Sequence, residues 1–437
     1  MWVQIPPSAQ NIYLTLFLKK LIDYRIIKIK GKKMKKFLLI LLSISAIFAQ
    51  NAETLFNDSK NALNDGNLNI ARDKILEAIE ADKSNKIFRD FESKIRDIQN
   101  KLTNANRSLL DRRYDDSIEI YNEILVESPK IISAIHGKGK AYYYKKDYVN
   151  ALKSFKSALD IDKSYKKART DYSNSVKRMY LSVNELLKKG QNTKAIEMYE
   201  LVLKYDPKFY RAHYQIGKIN QKLGKNSDAI KRFDAALSIS KNQPKILFSS
   251  ARSFRDLGDT RNAIERYQMA IDLDEKYFLA YKNLGDLYLN SLSDLDNAII
   301  NLQLAIKYDK KIETTSYLAL SDAYNQKELF DNSISILSEG KVLKKFENNA
   351  IYWYNLSVAY NAKGDCANAI NAAESTINTQ KRKSFGGGYY QLGVAQWCNG
   401  EGNRSESIKS MKKAREDRNF RAIATVFLEK NLRAINN

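Results

Sequence analysis

The chain has 437 residues, 44% of them hydrophobic, with only five prolines and seventeen glycines, and 73 Lys or Arg against 50 Asp or Glu for a net charge of +23. The apolar content is that of a globular protein, and so little proline and glycine leaves few breaks for sheets or flexible linkers. Two or three globular domains would be ordinary at this length, but no second domain is visible in the composition.

Met34, Lys35 and Lys36 precede the apolar run Phe37 to Ala49, which ends on a small residue. This has the layout of a secretory signal peptide, 34–49, with cleavage expected after Ala49. The run is short for a bilayer span, although an uncleaved anchor stays open as the alternative. No cysteine near the boundary suggests a lipid anchor. Residues 1–33 have no place ahead of such a signal, so translation is expected to begin at Met34. Residues 1–49 carry nine Lys or Arg and one Asp, leaving 64 basic against 49 acidic residues, a net of +15. That excess could attract acidic partners, or it could reflect a coding bias toward Lys, Asn, Ile and Tyr. Nucleic acid is not expected, because the protein is read as exported and no run of five basic residues occurs.

From residue 52 onward one pattern dominates. In Gly258 to Tyr288, Ala263, Tyr267 and Ala270 recur at i, i+4 and i+7, and Tyr281, Leu284, Gly285 and Tyr288 share a second helical face. Each face is a seam that one helix cannot bury alone. The small residue that opens this motif returns as Ala71, Ser117, Ala151, Ala195, Ala229, Ala263, Ala298, Ser333, Ala369 and Ser407, at spacings of 46, 34, 44, 34, 34, 35, 35, 36 and 38. The chain is an array with a period near 34. The two long spacings carry apolar residues at helical intervals, Phe88 to Leu102 and Tyr172 to Leu187, so they predict lengthened helices rather than loops.

That period, with Trp353-Leu356-Ser357-Tyr360, Tyr281-Leu284-Gly285-Tyr288 and Tyr317-Leu320-Ser321-Tyr324, resembles the tetratricopeptide repeat family. Pro129 and Pro207 stand where the family often places proline after its second helix; Asn220 replaces the usual aromatic. The resemblance covers residues 52–415. It implies an all-α fold, an α-solenoid or superhelix of about ten antiparallel helix-pair repeats. Residues 416–437, with Phe420, Ala424, Phe427 and Leu428 on one face, are expected to cap the last seam and end the chain.

Little points to chemistry. His136 and His213 lack a second histidine or cysteine at metal-ligand spacing, and are expected to be packed or solvated. "SFGGGYY", Ser384 to Tyr390, lacks the strand that a dinucleotide loop needs and reads as a flexible connection. No carboxylate pair is assigned a catalytic role, no cofactor or metal is expected, and the protein is read as a non-enzyme. Cys366 and Cys398 fall in matching turns of adjacent repeats; they form a disulfide, or remain two thiols too far apart.

The resemblance implies a concave groove lined by first helices. Carried onto this chain, the groove positions are Lys140, Tyr143 and Tyr144, then Arg211, Tyr214, Lys218 and Lys222, then Phe248, Arg252 and Arg255, and Lys282. Asp286 and Asp322 begin a more acidic stretch. The expectation is a scaffold of the bacterial cell envelope, most naturally periplasmic, that holds an extended acidic protein segment there. A solvated inner face without a partner, an enzyme accessory or secreted toxin-like factor, a cell-wall glycan ligand, and a cytoplasmic co-chaperone with a misread signal are the alternatives, and secretion is the alternative to the periplasm. No membrane span is expected in the mature chain.

Overall fold

The computed structural model describes residues 32–312, 315–380 and 385–436. Of the segment expected to lie upstream of the true start, residues 1–31 fall outside that description. Every regular element among the described residues is helical, and the chain is an all-α solenoid of antiparallel helix pairs. It divides into two units, residues 1–182 and 183–437.

The first unit holds α1 (Lys32–Asn64), α2 (Leu68–Ala81), α3 (Lys86–Leu110), α4 (Tyr114–Glu127), α5 (Ile132–Tyr144), α6 (Tyr148–Ile161) and the greater part of α7 (Lys166–Lys188). α1 runs through Ala49 without a break, and its described buried side chains, among them Ala52, Phe56 and Leu63, all follow that residue. α3 has 25 residues. The twelve residues by which its repeat exceeds the period amount to about 18 Å of helix at 1.5 Å per residue. Its first half is not idle: the Phe88 ring lies 4.8 Å from Phe56, and Ile95 and Ile98 are buried in the same core.

The second unit continues with α8 (Asn192–Tyr205), α9 (Tyr210–Lys222), α10 (Asn226–Ile239), α11 (Pro244–Asp256), α12 (Thr260–Leu273), α13 (Phe278–Leu287), α14 (Leu295–Tyr308), α15 (Ser316–Gln326), α16 (Phe330–Leu337), α17 (Gly340–Phe346), α18 (Ala350–Ala362), α19 (Cys366–Thr379), α20 (Gly386–Cys398), α21 (Arg404–Ala414) and α22 (Arg421–Asn436). A short π-helical turn, Tyr288–Leu292, absorbs extra chain between α13 and α14.

Two sequence features recur among the pairs, the second of them in four. A large side chain on the second helix drops into a notch left by a small residue on the first. A Cβ on Gly217 would stand 2.6 Å from the Phe233 ring, and Ala229 and Ala236 flank that ring fully buried. Burying one such ring contributes about 2–3 kcal/mol. The second feature starts the second helix. Asp147, Asp259, Asp294 and Asp365 each accept the backbone N–H of an asparagine three residues on, whose side chain donates to the other carboxylate oxygen at 2.7 Å. The box satisfies an otherwise orphan backbone donor, typically worth about 1 kcal/mol.

Two local expectations are corrected. Gly386 to Gly388 are not a flexible connection; they form the first turn of α20. A Cβ there would meet Asp417 at 2.6 Å, Phe385 at 2.7 Å and Ile377 at 3.0 Å, so the glycines are required by close packing. The small–large–small pattern Ser333-Leu337-Gly340 does not lie on one helix. α16 ends at Leu337 and Gly340 opens α17, which turns Val342 and Phe346 into the same core as Leu337.

Candidate inner-wall binding surface

In the second unit the first helices of successive repeats are stitched to one another by polar side chains near their C-terminal ends. Gln221 of α9 donates to the Ser249 carbonyl and the Ser253 hydroxyl of α11, both at 2.8 Å. Arg255 of α11 donates to the Asn283 side-chain oxygen of α13 at 2.8 Å. Asn325 of α15 donates to the Asn355 carbonyl of α18 at 2.9 Å, and Asn361 of α18 to the Gln391 carbonyl of α20 at 2.9 Å. These hydrogen bonds, part-buried except for the buried Asn325–Asn355 one, help fix how far those first helices sit from one another.

This wall carries most of the expected groove residues, but in unequal states. Lys218, Lys222 and Arg252 are exposed and have no ion-pair partner among the described residues. The Lys218 ammonium lies 5.7 Å from the Tyr214 ring centroid, and Arg211 lies beside Tyr210. Arg255 is already committed, pairing with Asp256 at 2.7 Å while it bonds Asn283. Lys282 pairs with Asp286 one turn along its own helix. Tyr214 and Phe248 are half-buried, their rings 5.9 Å from Phe233 and 5.7 Å from Tyr267, so each belongs partly to the core. Further along, Asp322 is half-buried and accepts from Gln326 at 3.1 Å; burial pushes its carboxyl above the usual range.

Lys140, Tyr143 and Tyr144 lie on α5, in the first unit. Tyr144 stacks on Tyr114 at 6.2 Å and meets Tyr143 edge-on. His136 on the same helix is buried, with Nε2 2.8 Å from Asp171 and its ring against Phe155 and Tyr165. Burial pushes its imidazole below the ordinary value, and the Asp171 hydrogen bond opposes that. His213 is half-buried and pushed the same way, first by burial and then by Arg232. Among the described residues no group of three or more His, Cys, Asp or Glu could hold a metal ion, and no helix is long and apolar enough to cross a membrane. Cys366 and Cys398 stand with Cα atoms 5.7 Å apart, inside the span that disulfides take, with their sulfurs in bonding contact.

Sequence reasoning missed the partners of the two committed cations. Asp286 was findable, being four residues from Lys282 on one helix. Asn283 was findable only by aligning successive repeats, since it is 28 residues from Arg255.

Models described as TPR repeat and as tetratricopeptide repeat match residues 184–224, 251–291 and 210–243. No curated protein matches the chain. Among solved structures it is similar to MamA, at 27% identity and TM-score 0.35, over 38% of this chain and 96% of that one. It is also similar to a tetratricopeptide repeat protein from Parabacteroides merdae ATCC 43184, at 18% identity and TM-score 0.41, over 59% and 98%. A third is MamA from residue 41 onward from Desulfovibrio magneticus RS-1, at 16% identity and TM-score 0.30, over 42% and 97%. Superpositions this loose carry nothing beyond the family match.

Proposed function

The chain belongs to the tetratricopeptide repeat proteins, which are scaffolds for protein–protein interaction, and from that premise we propose that the second unit holds an extended acidic segment of a partner against its first helices. The observation that carries this reading is the set of exposed cations on consecutive first helices, Lys218 and Lys222 on α9 and Arg252 on α11, with no carboxylate of the chain paired to them among the described residues. Cations left in water without a partner cost little in the free protein and gain charge-assisted hydrogen bonds when an acidic chain arrives. Tyr214 and Phe248, rigid because their rings rest on the core, supply contact area at small entropic cost. The reading is of a non-enzymatic scaffold, since the repeat fold typically serves binding.

We place the protein in the bacterial cell envelope, most naturally the periplasm, after cleavage behind Ala49. Removal of residues up to that point would leave every described buried side chain of α1 in the first repeat. Two measurements test these statements separately. N-terminal sequencing of the protein recovered from cells expressing its native gene is expected to begin at Gln50; a chain that retains Met34 contradicts export with cleavage. Anisotropy titration of a labelled glutamate-rich peptide against a lysine-rich one is expected to show the acidic peptide binding at low salt and releasing as salt rises. Equal binding of both peptides would sink the acidic-partner reading.

A further inference from the structure

Two neighbouring turns of the first unit, one joining α3 to α4 and the other α5 to α6, are built alike. Arg112 N–H donates to the Leu109 carbonyl at 3.2 Å and Arg113 N–H to the Ser108 carbonyl at 2.8 Å; Lys146 N–H donates to the Tyr143 carbonyl at 3.0 Å and Asp147 N–H to the Tyr142 carbonyl at 2.9 Å. Leu110 therefore matches Tyr144, and Arg112 matches Lys146. The rings of Tyr114 and Tyr144 stack at 6.2 Å and join one turn to the other, and Tyr143 carries the row on to Tyr148 at 5.8 Å.

Arg112 and Lys146 hold φ at +61° and +67°. The same pair of backbone bonds closes on glycine at Gly66, Gly190, Gly224, Gly258 and Gly364, all at positive φ, and on Glu328 in the second unit. A side chain in this left-handed place carries strain that glycine avoids. Two adjoining turns that both accept the strain, and both set a cation there, point to a use for the cations.

The carboxylates of the two turns are already engaged. Asp111 and Asp116 each lie 3.4 Å from Arg113, Asp115 pairs with Lys145, and Asp147 accepts from Asn150. Arg112 and Lys146 are exposed and have no ion pair among the described residues, so this edge carries uncompensated positive charge. Beside them Leu110 is 83% exposed and Tyr144 50%. A leucine standing so far out of the fold is a tip rather than the wall of a cleft, which suits insertion into a yielding layer better than the gripping of a peptide. Tyr114, Tyr143 and Tyr148 lie half-buried behind the tips. Phenols, apolar in the ring and polar at the hydroxyl, settle where a hydrocarbon layer meets water, and cations beside them meet acidic head groups.

We propose that this edge of the first unit docks on an anionic lipid surface, with Leu110 and Tyr144 entering the head-group layer and Arg112 and Lys146 pairing with lipid phosphates. It rests on the first unit alone and does not depend on the inner-wall reading. The test uses the processed chain beginning at Gln50, which keeps every described buried side chain of α1. It is sedimented with vesicles of phosphatidylcholine containing phosphatidylglycerol, and with phosphatidylcholine alone. Binding is expected to the anionic vesicles only, and to weaken as salt rises. Arg112→Gly with Lys146→Gly relieves the left-handed strain, so the melting temperature should hold or rise while vesicle affinity falls about fivefold for each cation lost. Leu110→Ser should weaken binding by a similar factor with no loss of stability. Lys163→Gln with Lys166→Gln removes the same charge beyond the far end of α6, and should leave vesicle affinity within about twofold. Absent binding, equal binding to both kinds of vesicle, unchanged affinity in the double glycine variant or in Leu110→Ser, or an equal loss from the Lys163 and Lys166 pair would overturn the assignment. Loss of glutamate-rich peptide binding in the double glycine variant, with vesicle binding intact, would give these cations to a protein ligand instead.

Discussion

Gly66 and Lys130 meet so closely that a Cβ on Gly66 would stand 1.8 Å from the Lys130 carbonyl oxygen. The contact follows from the length of α3, whose first half seats the α1–α2 hairpin beside the turn that leaves α4. Gly66 also holds φ at +84°. Gly224 closes an equivalent turn at φ +75° with nothing within 4 Å of its missing Cβ. Replacing Gly224 with alanine should cost about 1 kcal/mol, the left-handed penalty alone. Gly66→Ala carries that penalty plus a backbone collision, and should cost about 3 kcal/mol or more. Urea midpoints of the two variants measure the difference; equal losses would remove the close approach from the account.

Tyr121 and Tyr267 occupy equivalent places on their second helices, yet their hydroxyls differ. Tyr121 donates to Asn106 Oδ1 at 2.7 Å, whereas the buried Tyr267 hydroxyl has no hydrogen-bond partner among the described residues. Tyr121→Phe should therefore destabilise by about 1 kcal/mol, and Tyr267→Phe should be neutral or stabilising by a similar amount. The same substitution acting in opposite senses in thermal unfolding is the expected result. A loss at Tyr267 as large as at Tyr121 would mean that its hydroxyl is satisfied.

The repeat architecture was legible because its seam is written in residue size. A small residue every period, with a large one four later, survives even where Ser117 and Ser333 replace alanine, so notch and ring could be placed from the sequence. The inner wall was legible only as positions. Whether Arg255 or Lys282 is free depends on Asp256, Asn283 and Asp286, which sequence supplies without geometry. The glycines at 386–388 misled because a glycine run usually marks freedom, and here it marks crowding by Asp417, Phe385 and Ile377.

His136 and His213 both lie below their ordinary value of 6.5 in the folded chain. The unfolded chain then takes up protons first as pH falls through about 6.5, so stability present above that value is lost below it. Around His136 the charged neighbours are Asp171 and Lys167 on α7 and Lys140 on its own helix, with Tyr165 packed on the ring. The melting temperature is expected to fall between neutral and mildly acid pH, and to fall less in His136→Gln. An unchanged slope in that variant would mean that Asp171 fully offsets burial.

We propose that Cys366 and Cys398 are bridged, joining the start of α19 to the end of α20. A loop with a sequence separation of 32 residues implies about 3–4 kcal/mol of stabilisation in the chain-entropy view. Reduction, or Cys366→Ser, should lower the unfolding midpoint of the C-terminal repeats. Thiol labelling of the oxidised, unfolded protein settles the matter, since two reactive thiols would exclude the bridge.

The most direct test of the inner-wall account is the affinity of the glutamate-rich peptide for the double variant Lys218→Glu with Arg252→Glu, set against Lys282→Gln. The first two cations are free to meet a ligand and Lys282 is already spent on Asp286. The account predicts at least a tenfold loss at low salt for the double variant, shrinking as salt rises, and less than a twofold change for Lys282→Gln. Unchanged affinity in a folded double variant, or an equal loss from Lys282→Gln, would contradict it.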